Sequence, residues 1–172
     1  MCIRDRRPFV LELKRPLRRN LPTKDLVDMV QTHASGKVEV DELSWCTRKK
    51  VNEVKQSRSE KTYTIRFRAE GIDDEKKAEE AILSLSGQII DQETPRRVSH
   101  RRAAKTRRRK VTSIDNVSFE EGEIELTLRC EAGTYVKELV HSDEGRTKPS
   151  VQGVLDADCE VIWLDVLEIH DD

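Results

Sequence analysis

The stretch Glu131-Ala132-Gly133-Thr134-Tyr135-Val136-Lys137-Glu138-Leu139-Val140-His141-Ser142-Asp143-Glu144-Gly145-Arg146-Thr147-Lys148-Pro149-Ser150 begins where a strand pattern stops and a helix pattern starts. The residues before it, Glu123-Ile124-Glu125-Leu126-Thr127-Leu128-Arg129-Cys130, alternate with period two, the mark of a half-buried strand. Gly133 breaks that run. Thr134 is placed to cap a helix, and Tyr135, Val136, Leu139 and Val140 recur beyond it at helical spacing. A strand that bends sharply into a helix presents its first-turn side chains at the edge of a sheet, where sites are often built. Lys137 lies in that turn between apolar neighbours, and on spacing alone it reads as a solvated helix lysine.

Working outward, Lys61 to Arg68 is the cleanest alternation in the chain, with Tyr63, Ile65 and Phe67 on one face. On pattern alone Tyr63 is a core strand aromatic. A helix is expected from Asp73 to Leu85, with Ala78, Ala81, Ile82 and Leu85 inward and Gly87 closing it. Further strands are expected at about Val111 to Phe119 and at Cys159 to Ile169. Towards the amino end, Arg7-Pro8-Phe9-Val10-Leu11-Glu12-Leu13 reads as a strand entered through a proline. Thr23 is placed to cap a helix from Lys24 to Ala34, ended by Gly36, and residues 37–47 alternate like another strand. The sum is one α+β domain of about seven or eight strands and three or four helices, largely antiparallel because most connections are short. No repeat or linker divides it.

The chain has 172 residues, 35% hydrophobic and 38% charged, enough for one modest core in a polar body. No run approaches a membrane span, so no membrane partner is expected. Cys2, Cys46, Cys130 and Cys159 are scattered, without the spacing of a metal site, and read as reduced thiols in a cytosolic protein. Cys46, Cys130 and Cys159 fall in strand-like runs and are expected in the core. The net charge of −1 hides a segregation. Residues 96–110 carry nine Lys or Arg and no acid, whereas residues 111–172 carry four bases against sixteen acids. Nine cations without an interleaved acid repel one another unless a counter-charge arrives, which points to a polyanion such as RNA or DNA. A solvated loop is the plainer alternative.

Four ordered motifs carry a resemblance: Arg7-Pro8-Phe9; Gln92-x-Thr94-Pro95-x-Arg97-Val98-x-His100-Arg101-Arg102; Gly133-Thr134-Tyr135-Val136-Lys137-Glu138-Leu139-Val140-His141; and Gly145-Arg146-Thr147-x-Pro149-Ser150. From Arg7 to about Ile169 the chain resembles the C-terminal catalytic domain of the archaeal and eukaryotic tRNA pseudouridine synthases of the Pus-ten family. The resemblance implies the pseudouridine synthase fold, a mixed, mostly antiparallel sheet with flanking helices and a basic thumb-like hairpin. It also implies isomerisation of uridines 54 and 55 in the T arm of tRNA by a monomer, without metal or cofactor. The target base must leave its stack to be reached.

The same resemblance implies roles for individual side chains. Tyr63 would stack on the flipped base, Lys137 would pair with the catalytic carboxylate, and Leu155 would floor the pocket, with Leu139 a less favoured claimant for that floor. Arg96, Arg97, His100, Arg101, Arg102, Lys105, Arg107, Arg108, Arg109 and Lys110, with Arg146 and Lys148, would grip the RNA. The family's nucleophilic aspartate sits in a Gly-Arg-Glu-Asp-like segment ahead of the Arg-Pro-Phe motif. The residues around Asp5 do not resemble that segment, so the role is not carried to Asp5. Residues 1–6 are therefore expected to be foreign to the family, and 7–172 to be a partial catalytic domain, inactive as it stands. The alternative is a non-catalytic tRNA- or RNA-binding module.

Overall fold

The computed structural model describes residues 2–4 (backbone), 8–56 and 58–170. Although the sequence offers no linker, the chain divides into two compact units, Pro8–Ser57 and Met1–Arg7 with Arg58–Asp172.

The larger unit is built on a seven-stranded sheet. Its strands are β1 (Cys2–Arg4), β2 (Glu60–Ala69), β3 (Ile89–Glu93), β4 (Thr106–Glu120), β5 (Glu123–Cys130), β6 (Thr147–Lys148) and β7 (Cys159–His170). They lie in the order β1-β7-β2-β5-β4-β3-β6, with β1 parallel to β7 and every other pair antiparallel. Alternation along β5 sends Ile124, Leu126, Leu128 and Cys130 inward, where they meet Ile65 and Phe67 of β2 and Val111 and Ile114 of β4. Ile82, Leu139, Val140 and Val151, from three helices, close the same core. These helices and those of the smaller unit are α1 (Thr23–Ala34), α2 (Arg48–Gln56), α3 (Glu75–Leu83), α4 (Val136–His141) and α5 (Val151–Leu155). None is long and apolar enough to cross a membrane.

On the sheet's outer face the register sets opposite charges side by side. Arg66 is opposite Glu125 and Arg68 opposite Glu123, each pair 2.8 Å apart. Exposed cross-strand pairs of this kind are screened by solvent, so they select register more than they add stability.

The smaller unit departs furthest from expectation. Residues 8–13 and 37–47 form no strand (Arg7 lies outside the described residues), and Phe9, Leu11, Leu13, Val38 and Trp45 are exposed. Their alternation is real, but it has no ladder to sit in. Within 37–47 only Val40 is buried, and Gln31 Nε2 donates to its carbonyl at 3.2 Å. α1 begins at Thr23, which makes no side-chain cap. α2 was not expected, because its sequence is almost wholly polar, and it raises the helix count among the described residues to five. Cys46 is exposed rather than in the core. Cys130 and Cys159 are buried, and burial pushes both thiols up to about 12.

Where β2 begins, Thr112 Oγ1 and Arg129 Nε donate to the Glu60 carboxylate at 2.8 and 2.7 Å. The Thr112 bond, then the Arg129 bond, lowers the Glu60 pKa below its ordinary 4.5. A carboxylate depressed on folding contributes stability near neutral pH and loses it as pH falls through the folded value. Glu60→Gln should therefore be less stable than the parent at pH 7, with the gap closing below 4.5. Urea midpoints measured across that range will show it, and a gap independent of pH would refute the linkage.

Candidate functional site

The site is assembled around the first turn of α4, and the residue that places this turn lies on another strand. Gln92 points inward from β3 and is fully buried. Its Oε1 accepts from Tyr135 N at 2.9 Å, while its Nε2 donates to Tyr135 O at 3.0 Å and to Thr147 Oγ1 at 3.3 Å. The amide thus pairs with the Tyr135 backbone as a strand neighbour would. Thr134, expected to cap α4, instead donates its hydroxyl to Glu131 O at 2.7 Å, and Tyr135 takes the cap position. Gly133 is left-handed (φ +80°) and lies against Arg109, whose guanidinium would be 3.5 Å from any added Cβ.

A second tie is electrostatic. Glu138, on the first turn of α4, is 1% exposed. Arg97 donates to both its oxygens, at 2.6 and 3.3 Å, and its guanidinium carbon lies 5.9 Å from the centre of the Tyr135 ring. The bond to Glu138 raises the Arg97 pKa above its ordinary value. Forked, charge-assisted bonds are what allow a carboxylate to be buried at all.

The basic segment is correspondingly divided. Arg97 faces Glu138, Arg96 pairs with Glu144, and Arg146 pairs with Glu93 at 3.1 Å, while Arg108 lies 3.8 Å from Asp91. His100, Arg101, Arg102, Lys105, Lys110 and Lys148 are exposed and their side chains form no ion pair among the described residues, although Lys110 N donates to the Glu131 carboxylate at 3.0 Å. Arg107 donates to Thr94 Oγ1 and Lys105 O, and Arg109 to Arg108 O, all of them neutral acceptors. The Arg109 Nε is buried without a hydrogen-bond partner among the described residues. Thr94 closes the loop, donating to Ala103 O at 2.7 Å and accepting from Lys105 N at 3.0 Å. A short 3-10 turn, Arg96–Val98, anchors it through the buried Val98.

Of the three side chains expected at the chemistry, two pack against one core and the third lies on a helix that contributes to it. Tyr63, opposite Leu128 and Val166, is part-buried against the central cluster, as is Leu155 at the end of α5. Lys137 is half-buried on α4, whose Val136, Leu139 and Val140 belong to that cluster. The Lys137 ammonium forms no ion pair among the described residues, although it sits between two residues that Arg97 contacts. Leu139, the less favoured claimant for the pocket floor, is fully buried in the core. Asp5 lies outside the described residues. No group of three His, Cys, Asp or Glu among the described residues could hold a metal. Gln92 and Glu138 were quoted in the motifs without a role, since their partners are distant in sequence.

This fold is known from solved structures. A chain of the Cbf5-Nop10-Gar1 complex aligns with a TM-score of 0.57 and 21% identity, over 86% of this chain and 45% of that one. A chain of an H/ACA RNP bound to a substrate RNA containing 2′-deoxyuridine gives 0.50 and 18%, over 86% and 44%. The architecture is the expected α+β pseudouridine synthase fold.

More specifically, the chain belongs to the Pus10 family, whose C-terminal region ("Pus10, C-terminal") matches residues 1–170. It is 43% identical over 163 residues to the tRNA pseudouridine synthase Pus10 of Methanothrix thermoacetophila, covering 95% of this chain and 36% of that protein. With Pus10 of Pyrococcus furiosus it shares 40% over 169 residues, 96% of this chain and 42% of that one. The chain therefore spans about two fifths of its relatives' length.

A lysine that makes no internal ion pair has little to do with stability. Lys137→Met should leave the melting temperature unchanged or slightly raised, within about 0.5 kcal/mol of the parent. Thermal denaturation tests this, and a loss above about 2 kcal/mol would make the lysine structural.

Proposed function

We propose that this chain is the catalytic portion of a tRNA pseudouridine synthase that isomerises uridine to pseudouridine in the T arm, at positions 54 and 55. In this reading it is a monomeric cytoplasmic enzyme without metal or cofactor. The observation that carries it is the half-buried Lys137, which forms no ion pair among the described residues, on a turn held from outside by Gln92 and Arg97. Its family relatives bear the name of that activity.

The division of labour follows from the chemistry. The family's nucleophilic aspartate attacks the target nucleotide and the bond between base nitrogen and sugar breaks; the base rotates and bonds to the sugar through carbon, the aspartate is released, that carbon loses its proton and the freed nitrogen gains one. Lys137 keeps that aspartate ionised and oriented, as an opposite charge at short range does. Tyr63 presents its ring to the flipped base, and Leu155 gives the base an apolar floor. Arg101, Arg102, Lys105, Lys110 and Lys148 neutralise phosphates, so recognition follows the shape of the arm more than its base edges. A non-catalytic RNA-binding module is the second reading, favoured by the exposed Arg101, Arg102 and Lys105, whose side chains form no ion pair among the described residues.

The test uses the full-length protein that carries this chain, with a T-arm transcript and pseudouridine measured by mass spectrometry. Lys137→Met should lower the rate by about a hundredfold or more while RNA affinity holds. Combined alanine substitution of Arg101, Arg102 and Lys105 should weaken binding and flatten its salt dependence by roughly one unit of slope per lost phosphate contact. No pseudouridine from the unaltered protein, with salt-sensitive RNA binding intact, would establish the second reading instead.

A further inference from the structure

In sequence Lys137 lies between Tyr135 and Glu138; Arg97 donates to Glu138, and its guanidinium carbon is 5.9 Å from the centre of the Tyr135 ring. Arg97 also belongs to the 3-10 turn that leads directly into the loop bearing the unpaired cations. We propose that Arg97 is a positioning residue that couples the loop to the site: its fork on Glu138 sets the first turn of α4, and RNA engaging the loop tightens that hold on Lys137. The coupling rests on the functional reading above.

Three observations support it. Burying the Glu138 carboxylate costs more than α4 can offset unless a cation with matching geometry is present, and Arg97 supplies it. The α4 turn as packed therefore requires the 3-10 turn to be in place. The loop is a closed unit, because Thr94 ties its start to Ala103 and Lys105 near its end. A force on Arg101 or Arg102 therefore passes to Arg97 rather than dissipating in slack chain. Finally, the Arg97 side chain is 50% exposed although its Nε and one terminal nitrogen are engaged. Of its five N–H donors, those not used on Glu138 remain for a phosphate, so one guanidinium can serve RNA and helix together.

The experiment measures hydrogen exchange over Tyr135 to His141 with and without a T-arm hairpin RNA, together with single-turnover rates in the full-length protein. Arg97→Met should speed exchange there by about tenfold while β2 stays protected. RNA should slow exchange in the parent and not in the variant. The rate at saturating RNA should fall by about tenfold or more, with affinity reduced less than in Arg101→Ala. Glu138→Gln should behave likewise, and Arg97→Lys, which keeps charge but not the fork, should restore only part of the rate. If Arg97→Met fails to fold, Arg97→Lys carries the same comparison. Unchanged α4 exchange, or an affinity defect with a normal saturating rate, overturns the positioning role and leaves Arg97 a phosphate ligand. A parent that binds no RNA overturns the functional reading and the coupling with it, while the exchange of α4 without RNA still decides whether Arg97 positions the helix.

Discussion

A buried primary amide must satisfy donors and acceptor together, and that requirement at Gln92 governs how the halves of the site meet. At 0% exposure bulk solvent does not reach it, and its hydrogen bonds come from protein. They come from Tyr135 and Thr147, on either side of α4, separated from Gln92 by 43 and 55 residues. One side chain thus joins β3, the entrance to α4 and β6. Leaving such a group unpaired costs roughly 1–3 kcal/mol, comparable to a good part of a small domain's margin. The short α4, too brief to hold itself together, takes its position from the sheet.

The acidic body has a use beyond solubility. Glu138, Glu144, Glu93 and Asp91 each take one arginine of the basic segment or its neighbour. Those arginines define the shape of the loop. The cations left over gather at Arg101 to Lys105 and at Lys110 and Lys148, facing solvent. A segment read as one uniform polyanion-binding ribbon is two interleaved sets, one holding the fold and one holding charge in reserve. Within the first set the Arg97–Glu138 pair gains strength from the burial of its carboxylate, whereas the second set is exposed to salt.

What could be read in advance followed from periodicity. β2, β4, β5, β7 and α3 bury one face each, and that leaves a pattern in the residues themselves. β3 escaped because its inward positions are Ile90 and Gln92, and a polar residue at a core position erases the alternation. Residues 37–47 show the reverse failure, an alternation with no neighbouring strand to give it meaning. The site was less legible still. Lys137, Tyr63 and Leu155 were named through resemblance, since nothing in spacing distinguishes them from core or surface residues. The Arg97–Glu138 pair spans 41 positions and exists only once the chain has folded.

After α4 the backbone winds the wrong way. Ser142, Asp143, Glu144 and Gly145 have φ of 66°, 52°, 58° and 80°, a full left-handed turn in which only the last residue is a glycine. L-residues lose roughly 1–2 kcal/mol each in that conformation. Yet Asp143 accepts from Arg96 N at 3.1 Å and Glu144 pairs with the Arg96 guanidinium, so both side chains anchor the loop. Glycine would relax the chirality and release the anchor; the carboxylates keep the anchor and retain the torsional penalty. Backbone comfort and charge placement are in open conflict at these two positions, so a search for more thermostable versions of this domain will meet its sharpest trade-off there.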